Sequence, residues 1–382
     1  MKSLKFLHFS DLHLDSPFTS LGNNPKVRGQ RRQDLLDTFD RIINLAQREA
    51  VDVILISGDL YEHNHVREST IHYINNRFRE LRDIEIFIVP GNHDPAINNS
   101  YYKSFKWSKN THILCEDKPQ VYLRELDTVF FGAGFSGFYE KEFAFKVDEP
   151  LNEKKFNIML VHATVDMDFG GESYNPVTGK QLASYGMDYI ALGHFHNPST
   201  KIGGYDFIYN PGSPEPLGFD ERGKHGVFVG TISITPEGKR ERDIKFVDIS
   251  KRQYDILEIS SDYFSSDTQI RKMIDSQSTW ENPGDILLNV VLRGYTKRGY
   301  FIKIGEIEQM LRDKFFYVSI TNETVPAYDY MKLSEDPGLV GLFVRKMLER
   351  INHSPNQREK HLLEKAMQYG VEALQQGKID LL

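Results

Sequence analysis

Three short apolar runs, 4–10 (LKFLHFS), 51–57 (VDVILIS) and 84–90 (IEIFIVP), dominate the first hundred residues, and each stops at a polar turn. Between the first two, Leu35, Leu36, Phe39, Ile42, Ile43 and Ala46 recur at the three- and four-residue spacing of one helical face, which predicts a helix over about 33–49. Strand, helix and strand in that order predict parallel pairing, because parallel neighbours need a long crossover. From about residue 110 the apolar runs crowd together, at 120–126, 128–134, 157–161, 188–192, 206–209, 226–234 and 243–249. That density predicts a second, mixed sheet packed on the first, and so an α/β chain of the α+β kind with two mixed β-sheets.

A turn-rich stretch, 235–240 (TPEGKR), links the last two runs, and the domain boundary falls near 250. Beyond it, 254–325 read as a small α/β unit with strands at about 285–293 and 315–321 and a helix near 304–314. Two amphipathic helices follow, 335–351 and 355–377, the second capped by Ser354 with Pro355 in its first turn. The expected division is therefore 1–250, 251–330 and 331–382.

No stretch approaches the roughly 20 apolar residues that span a bilayer, which excludes an integral membrane protein of the helical kind. The opening MKSLKFLHFS lacks the pattern of a signal peptide, and the single cysteine, Cys115, has no partner for an internal disulfide, so a cytoplasmic location is expected. A net charge of −7 argues against a protein that coats nucleic acid nonspecifically. Any nucleic-acid contact must come from local basic patches.

The chemistry sits where the runs end. Asp11 and His13 in SDLHLD are two apart after the first strand, a spacing that aims both side chains at one ion; alone it is a weak signal, equally compatible with a turn cap and a surface histidine. Asp59 in ISGDLYE follows a glycine that allows a sharp turn and puts a carboxylate at the sheet edge, where it could bridge two cations or merely cap the next helix. Asn92, His93 and Asp94 in VPGNHDP place amide, imidazole and carboxylate on one tight loop. His162 ends NIMLVHA, a position usually structural, whereas His194 and His196 in ALGHFHNP form a second two-apart pair behind a glycine. Five separate motifs end strands at the edge where ligands gather in open α/β sheets, and coincidence of five bland explanations is improbable. Carboxylate, amide and imidazole without thiolate favour Mn²⁺, with Fe or Zn²⁺ next, over Ca²⁺.

In this order D-x-H, GD, GNHD, H and GHxH resemble the calcineurin-like metallophosphoesterases. DLHLDS, AQREAVDVILISGDLYE, DYIALGHFH and NPGSPEP are similar to SbcD-type DNA double-strand-break repair nucleases, nearest to their YhaO branch. The resemblance implies a four-layer metallophosphoesterase sandwich of two mixed sheets flanked by helices, with an α/β cap domain and C-terminal helices. It also implies two divalent metal ions, the first held by Asp11, His13 and His196, the second by Asn92, His162 and His194, with Asp59 on both. His93 would contact the phosphate, stabilising the transition state or protonating the leaving sugar oxygen, with Asp94 holding its ring. Where several such nucleases carry His or Asp three residues after the bridging Asp, this chain has Glu62, which puts the balance of exonuclease and endonuclease action in question; His63 and His65 read as solvent-facing.

DNA itself is argued from two basic clusters. RGYTKRGYFIK at 293–303 interleaves Lys297 and Arg298 with aromatics, a pattern suited to a nucleic-acid strand or to a merely solvated cap strand. Lys26, Arg28, Arg31 and Arg32 lie beside the first motif, before the first helix, where Arg31 and Arg32 are expected to grip a DNA backbone. In SbcD relatives C-terminal helices dock on the coiled-coil base of an SMC-like ATPase, and relatives often form homodimers; here the helices could instead close the protein's own core. The competing functions are a phosphodiesterase or phosphatase for nucleotides and other small phosphoesters, and a non-catalytic scaffold, against which the complete set of ligand-type residues counts.

Overall fold

The structure is a computed structural model that describes residues 2–376 except 23, 146–150, 152–153, 167–173, 278, 298–299 and 327. The chain divides into two compact units, residues 1–254 and 255–382.

In the first unit β1 (Lys2–Phe9), α1 (Pro25–Arg48), β2 (Val53–Ser57), α2 (Glu68–Glu80) and β3 (Glu85–Val89) alternate as the apolar runs predict. A short α3 (Tyr101–Ser104) precedes β4 (Thr111–Ile113), β5 (Gln120–Leu123), β6 (Thr128–Ala133) and β7 (Phe156–His162). Then come α4 (Gly179–Ser184), β8 (Tyr189–Gly193), β9 (Ser199–Thr200), β10 (Ile208–Asn210), β11 (Gly226–Ile234) and β12 (Arg240–Asp248). These strands make two six-stranded mixed sheets, β12-β11-β1-β2-β3-β4 and β5-β6-β7-β8-β10-β9. β1, β2 and β3 run parallel in one sheet, as do β6, β7 and β8 in the other.

Every second residue of a strand faces the other sheet. Leu4 and Phe6, Val53 and Leu55, and Phe87 and Val89 meet Phe130, Ile158, Leu160, Tyr189 and Ala191 in one buried cluster. The alternate residues Leu7, Ile54, Ile56, Ile86 and Ile88 are equally buried, and the apolar stripes of α1 (Leu35, Phe39, Ile42, Ile43) and α2 (Ile71, Ile74, Phe78) supply the cover that face needs. His8 is a polar tie between the sheets: its Nδ1 accepts from the Tyr189 hydroxyl at 2.9 Å and its Nε2 donates to the Leu192 carbonyl at 3.1 Å. Burial lowers its pKa to about 3, so the ring is neutral.

α1 starts eight residues earlier than its apolar face suggests. Asn24 accepts from the Val27 N–H and Pro25 occupies the first turn, so the basic residues expected before the helix are inside it.

The second unit takes in β13 (Gln253–Phe264), α5 (Asp267–Gln277), β14 (Ile286–Thr296), α6 (Ile304–Leu311) and β15 (Tyr317–Pro326), followed by α7 (Tyr330–Ser334), α8 (Leu339–Asn352) and α9 (Gln357–Gln376). Its three strands form one sheet around Ile259, Leu288, Val290, Leu292 and Ile307. β13 and α5 escape the sequence reading because much of β13 is exposed and polar, so no apolar run marks it. α8 and α9 bury Val344, Met347, Ile351, Leu363, Met367 and Val371 in a cluster of their own. The start of α9 is capped by Asn356, whose side chain accepts from the Glu359 N–H at 2.9 Å, rather than by Ser354.

Candidate metal centre

The loops after β1 and β2 continue the pairing of their strands. Asp11 N–H donates to the Gly58 carbonyl, His13 N–H to that of Asp59 and Leu14 N–H to that of Leu60, at 2.9–3.1 Å. Along this path Asp11, His13 and Asp59 adopt φ of 53°, 49° and 52°, and His194 after β8 adopts 104°. Few side chains tolerate that region, though Asp and His are among those enriched there, and such strain collects at functional sites. Two glycines let the loops close. A Cβ on Gly58 would stand 2.3 Å from His162 Nδ1, and one on Gly193 would stand 2.0 Å from the Ser57 carbonyl oxygen.

All seven expected ligands and His93 converge on this edge. Asp59 lies in the middle, its Oδ2 3.7 Å from His13 Nε2 and 3.2 Å from His162 Nε2. The Asp11 carboxylate accepts the His194 N–H at 3.1 Å. His162 donates from Nδ1 to the Ser57 carbonyl at 2.8 Å, which turns Nε2 toward Asn92 Oδ1 at 3.0 Å. His194 stacks edge-on to His162, ring centroids 5.2 Å apart. Ligand atoms of Asp11, His13 and His196 lie within 4.8 Å of one another, as do those of Asp11, Asp59 and His162, and of His13, Glu62 and His93.

Two carboxylates back the rings. Glu62 accepts from His13 Nδ1 at 2.8 Å through one oxygen and from His93 Nδ1 at 3.0 Å through the other. Glu221 accepts from His196 Nδ1 at 2.7 Å, and is itself held by the Ser213 hydroxyl and the Leu217 N–H. With both Nδ1 protons so engaged, the Nε2 lone pairs of His13 and His196 face each other across 3.2 Å. Two acceptors in that position repel unless a cation or a proton lies between them. The donor set therefore fits a divalent cation, and carboxylate-backed imidazoles are the usual support of such ligands.

Protonation tells the same story. Burial opposes a charge on His93, His162 and His196, yet each is raised to about 9: His93 by Glu62 and Asp59, His162 by Asp59, and His196 by Glu221. Burial and the neighbouring His162 lower His194 to about 4. Against its own burial, Asp59 is held far below the usual carboxylate range by His162 and His13. On His162 and His196 these protons occupy lone pairs a cation would use, so metal binding there must release them.

Several expectations are corrected. Asp94 does not hold the His93 ring: its carboxylate is buried, accepting the N–H groups of Asp59, Leu60 and Gly91 at 2.7–3.0 Å and the Tyr102 hydroxyl at 2.6 Å. It fastens the Asp59 loop to the Asn92 loop, and Glu62 orients the ring. Burial and the charge of Asp59 push Asp94 up to about 7. Arg31 does not reach for a backbone phosphate. It is wholly buried, paired with Asp34 at 2.9 Å and Glu215 at 2.7 Å, and donates to the Pro216 carbonyl. Arg32 is half-buried on α1 and Lys297 is exposed, while Arg298 lies outside the described residues. In the same basic stretch Arg293 is bridged by Glu258 and Glu323, which a local reading of charge cannot see. His65 is exposed, but His63 is half-buried and packs on Phe138. Sequence reasoning missed Glu221, which sits in no motif, and the role of Asn210, the first residue of NPGSPEP, whose side-chain amide donates to the Phe195 and Asn197 carbonyls and fixes the His194–His196 turn. Glu62 carried a signal, its place three residues after Asp59.

Two mixed sheets between helices with a carboxylate–imidazole cluster at their shared edge define a metallophosphoesterase. Residues 4–198 match the calcineurin-like phosphoesterase family, and the chain belongs to it. It is 26% identical over 257 residues to the uncharacterized metallophosphoesterase YhaO of Bacillus subtilis, covering 64% of this chain and 62% of that one. It is 25% identical over 300 residues to the DNA double-strand break repair protein Mre11 of Methanopyrus kandleri (70% and 62%), and 26% identical over 265 residues to a subunit of the nuclease SbcCD of Escherichia coli K12 (58% and 63%). The chain thus spans somewhat less than two thirds of these relatives' length. Among the described residues no helix is long and apolar enough to cross a membrane.

Proposed function

We propose that the chain is a DNA repair nuclease that hydrolyses phosphodiester bonds with two divalent ions, Mn²⁺ before Fe or Zn²⁺. The observation that carries the metal chemistry is the facing pair of His13 and His196 nitrogens, each ring backed by its own carboxylate. In this reading Asp11, His13 and His196 would hold one ion, Asn92, His162 and His194 the other, and Asp59 would serve both. The bound ions would supply Lewis-acid stabilisation of the phosphate oxygens and an activated water. His93 presents a half-exposed ring at the cluster, held by Glu62, and in this reading would donate a proton to the leaving sugar oxygen. The similarity to Mre11, a DNA double-strand break repair protein, supports DNA as substrate, and that to a subunit of the nuclease SbcCD supports nuclease action.

An SMC-like ATPase with a coiled coil is the partner this reading implies. Leu339, Leu342 and Leu362, exposed on α8 and α9, suit such docking. Action in the cytoplasm and pairing of two copies belong to the same proposal. The test is degradation of linear DNA by metal-stripped protein with and without Mn²⁺, set against hydrolysis of a cyclic nucleotide. DNA cleavage restored by Mn²⁺ and abolished in Asp59→Asn and His93→Gln is expected. Cleavage of the cyclic nucleotide alone sinks the nuclease reading, and activity surviving both substitutions sinks the site.

A further inference from the structure

We infer that Phe138 and Tyr139 form a stacking platform for the nucleobase next to the scissile phosphate, a proposal that rests on the nuclease reading and specifies its substrate. The segment that carries them starts inside the site. Phe135 packs edge-on against the His162 ring at 5.6 Å, and its backbone pairs with Pro90 and Ala96 on either side of the Asn92 loop. The chain then turns: Ser136 donates from its N–H and hydroxyl to the Glu140 carboxylate, which closes a loop with Phe138 and Tyr139 at its tip. The Asn175 N–H donates to the Glu140 carbonyl at 2.7 Å, and the Asn175 side chain to the His162 carbonyl, so the loop is moored to a ligand strand at both ends.

Phe138 and Tyr139 nonetheless remain 46% and 42% exposed, an unusual state for two adjacent aromatics in a moored loop. Each is one ring away from the site. Phe138 packs on His63 at 5.7 Å, and the His63 N–H donates to the His93 carbonyl. Tyr139 packs on Tyr174 at 5.2 Å, and Tyr174 on His194 at 5.6 Å. The ligand that brings a flat apolar face this close to a reacting phosphate is a nucleotide, and every base offers such a face whatever the sequence.

The experiment compares kcat/KM for thymidine 5′-(4-nitrophenyl phosphate), which carries a base, with that for methyl 4-nitrophenyl phosphate, which does not, in the Mn²⁺-loaded full chain. Wild type is expected to prefer the thymidine ester. The Phe138→Ala/Tyr139→Ala variant should lose that preference by on the order of tenfold, the effect of removing base–aromatic stacking. Phe138→Leu/Tyr139→Leu, which keeps apolar bulk without rings, should lose it equally and guards against misfolding. An unchanged ratio, no preference in wild type, or hydrolysis of neither ester overturns the platform. Failure to cut DNA with the thymidine preference intact overturns the nuclease reading alone.

Discussion

Glu62→Gln is the substitution whose outcome the geometry specifies most fully. One carboxylate oxygen takes the His13 proton at 2.8 Å and the other the His93 proton at 3.0 Å, and these bonds hold the carboxyl down at about 2 against its burial. Glutamine offers one carbonyl and one amide NH₂, so whichever way it turns one ring loses its acceptor. If that ring is His13, its proton moves to Nε2, the atom that faces His196 and Asp59, and a ligand lone pair disappears. A lost hydrogen bond to a charged group is worth about 1.5–3 kcal/mol, or roughly 10- to 150-fold at about 1.4 kcal/mol per decade. The assay is calorimetric titration of Mn²⁺ into metal-stripped protein, paired with phosphodiester hydrolysis as a function of Mn²⁺. Metal affinity or kcat/KM should fall by about 10- to 100-fold, the usual cost of losing a ligand's supporting partner. Both within twofold of wild type would refute the reasoning.

Three further outcomes are expected. Glu221→Gln should weaken Mn²⁺ binding by about 10- to 100-fold in the same titration, because His196 has its Nδ1 held by that carboxylate; an unchanged isotherm removes Glu221 from the site. Arg31→Ala leaves Glu215 short of its buried partner and should cost about 3–5 kcal/mol, lowering Tm by roughly 6–20 °C, whereas Arg32→Ala should stay within about 0.5 kcal/mol; equal melting of the two would restore Arg31 to the surface. His8 has a folded pKa lowered to about 3 from 6.5, so the unfolded chain binds the extra proton and stability is lost as pH falls through 6.5 toward 3. At about 1.4 kcal/mol per pH unit this amounts to about 2 kcal/mol by pH 5. Denaturant titrations at pH 7 and pH 5 should show His8→Gln losing less than wild type across that interval, and equal losses would contradict the account.

The parallel strands and the candidate ligand types, in their order, were legible in the sequence because each depends on neighbours within a few residues: an apolar run makes the strand, a turn follows it, in three motifs beside a glycine, and the residues at or just past the strand's end stand at the sheet edge. The same locality misled elsewhere. The charge around Arg31 reads as a basic patch along the chain, but Glu215, 184 positions away, neutralises it in the core. Asp94 next to His93 looks like its partner, yet it serves the Asp59 loop, and the partner is Glu62, brought up by the pairing of the loops after β1 and β2. Sequence alone thus determined which groups could form a metal centre and at which edge. Only the tertiary structure decided which carboxylate supports which ring, because a hydrogen bond is settled by distance in space, and packing two sheets face to face sets those distances without regard to separation along the chain.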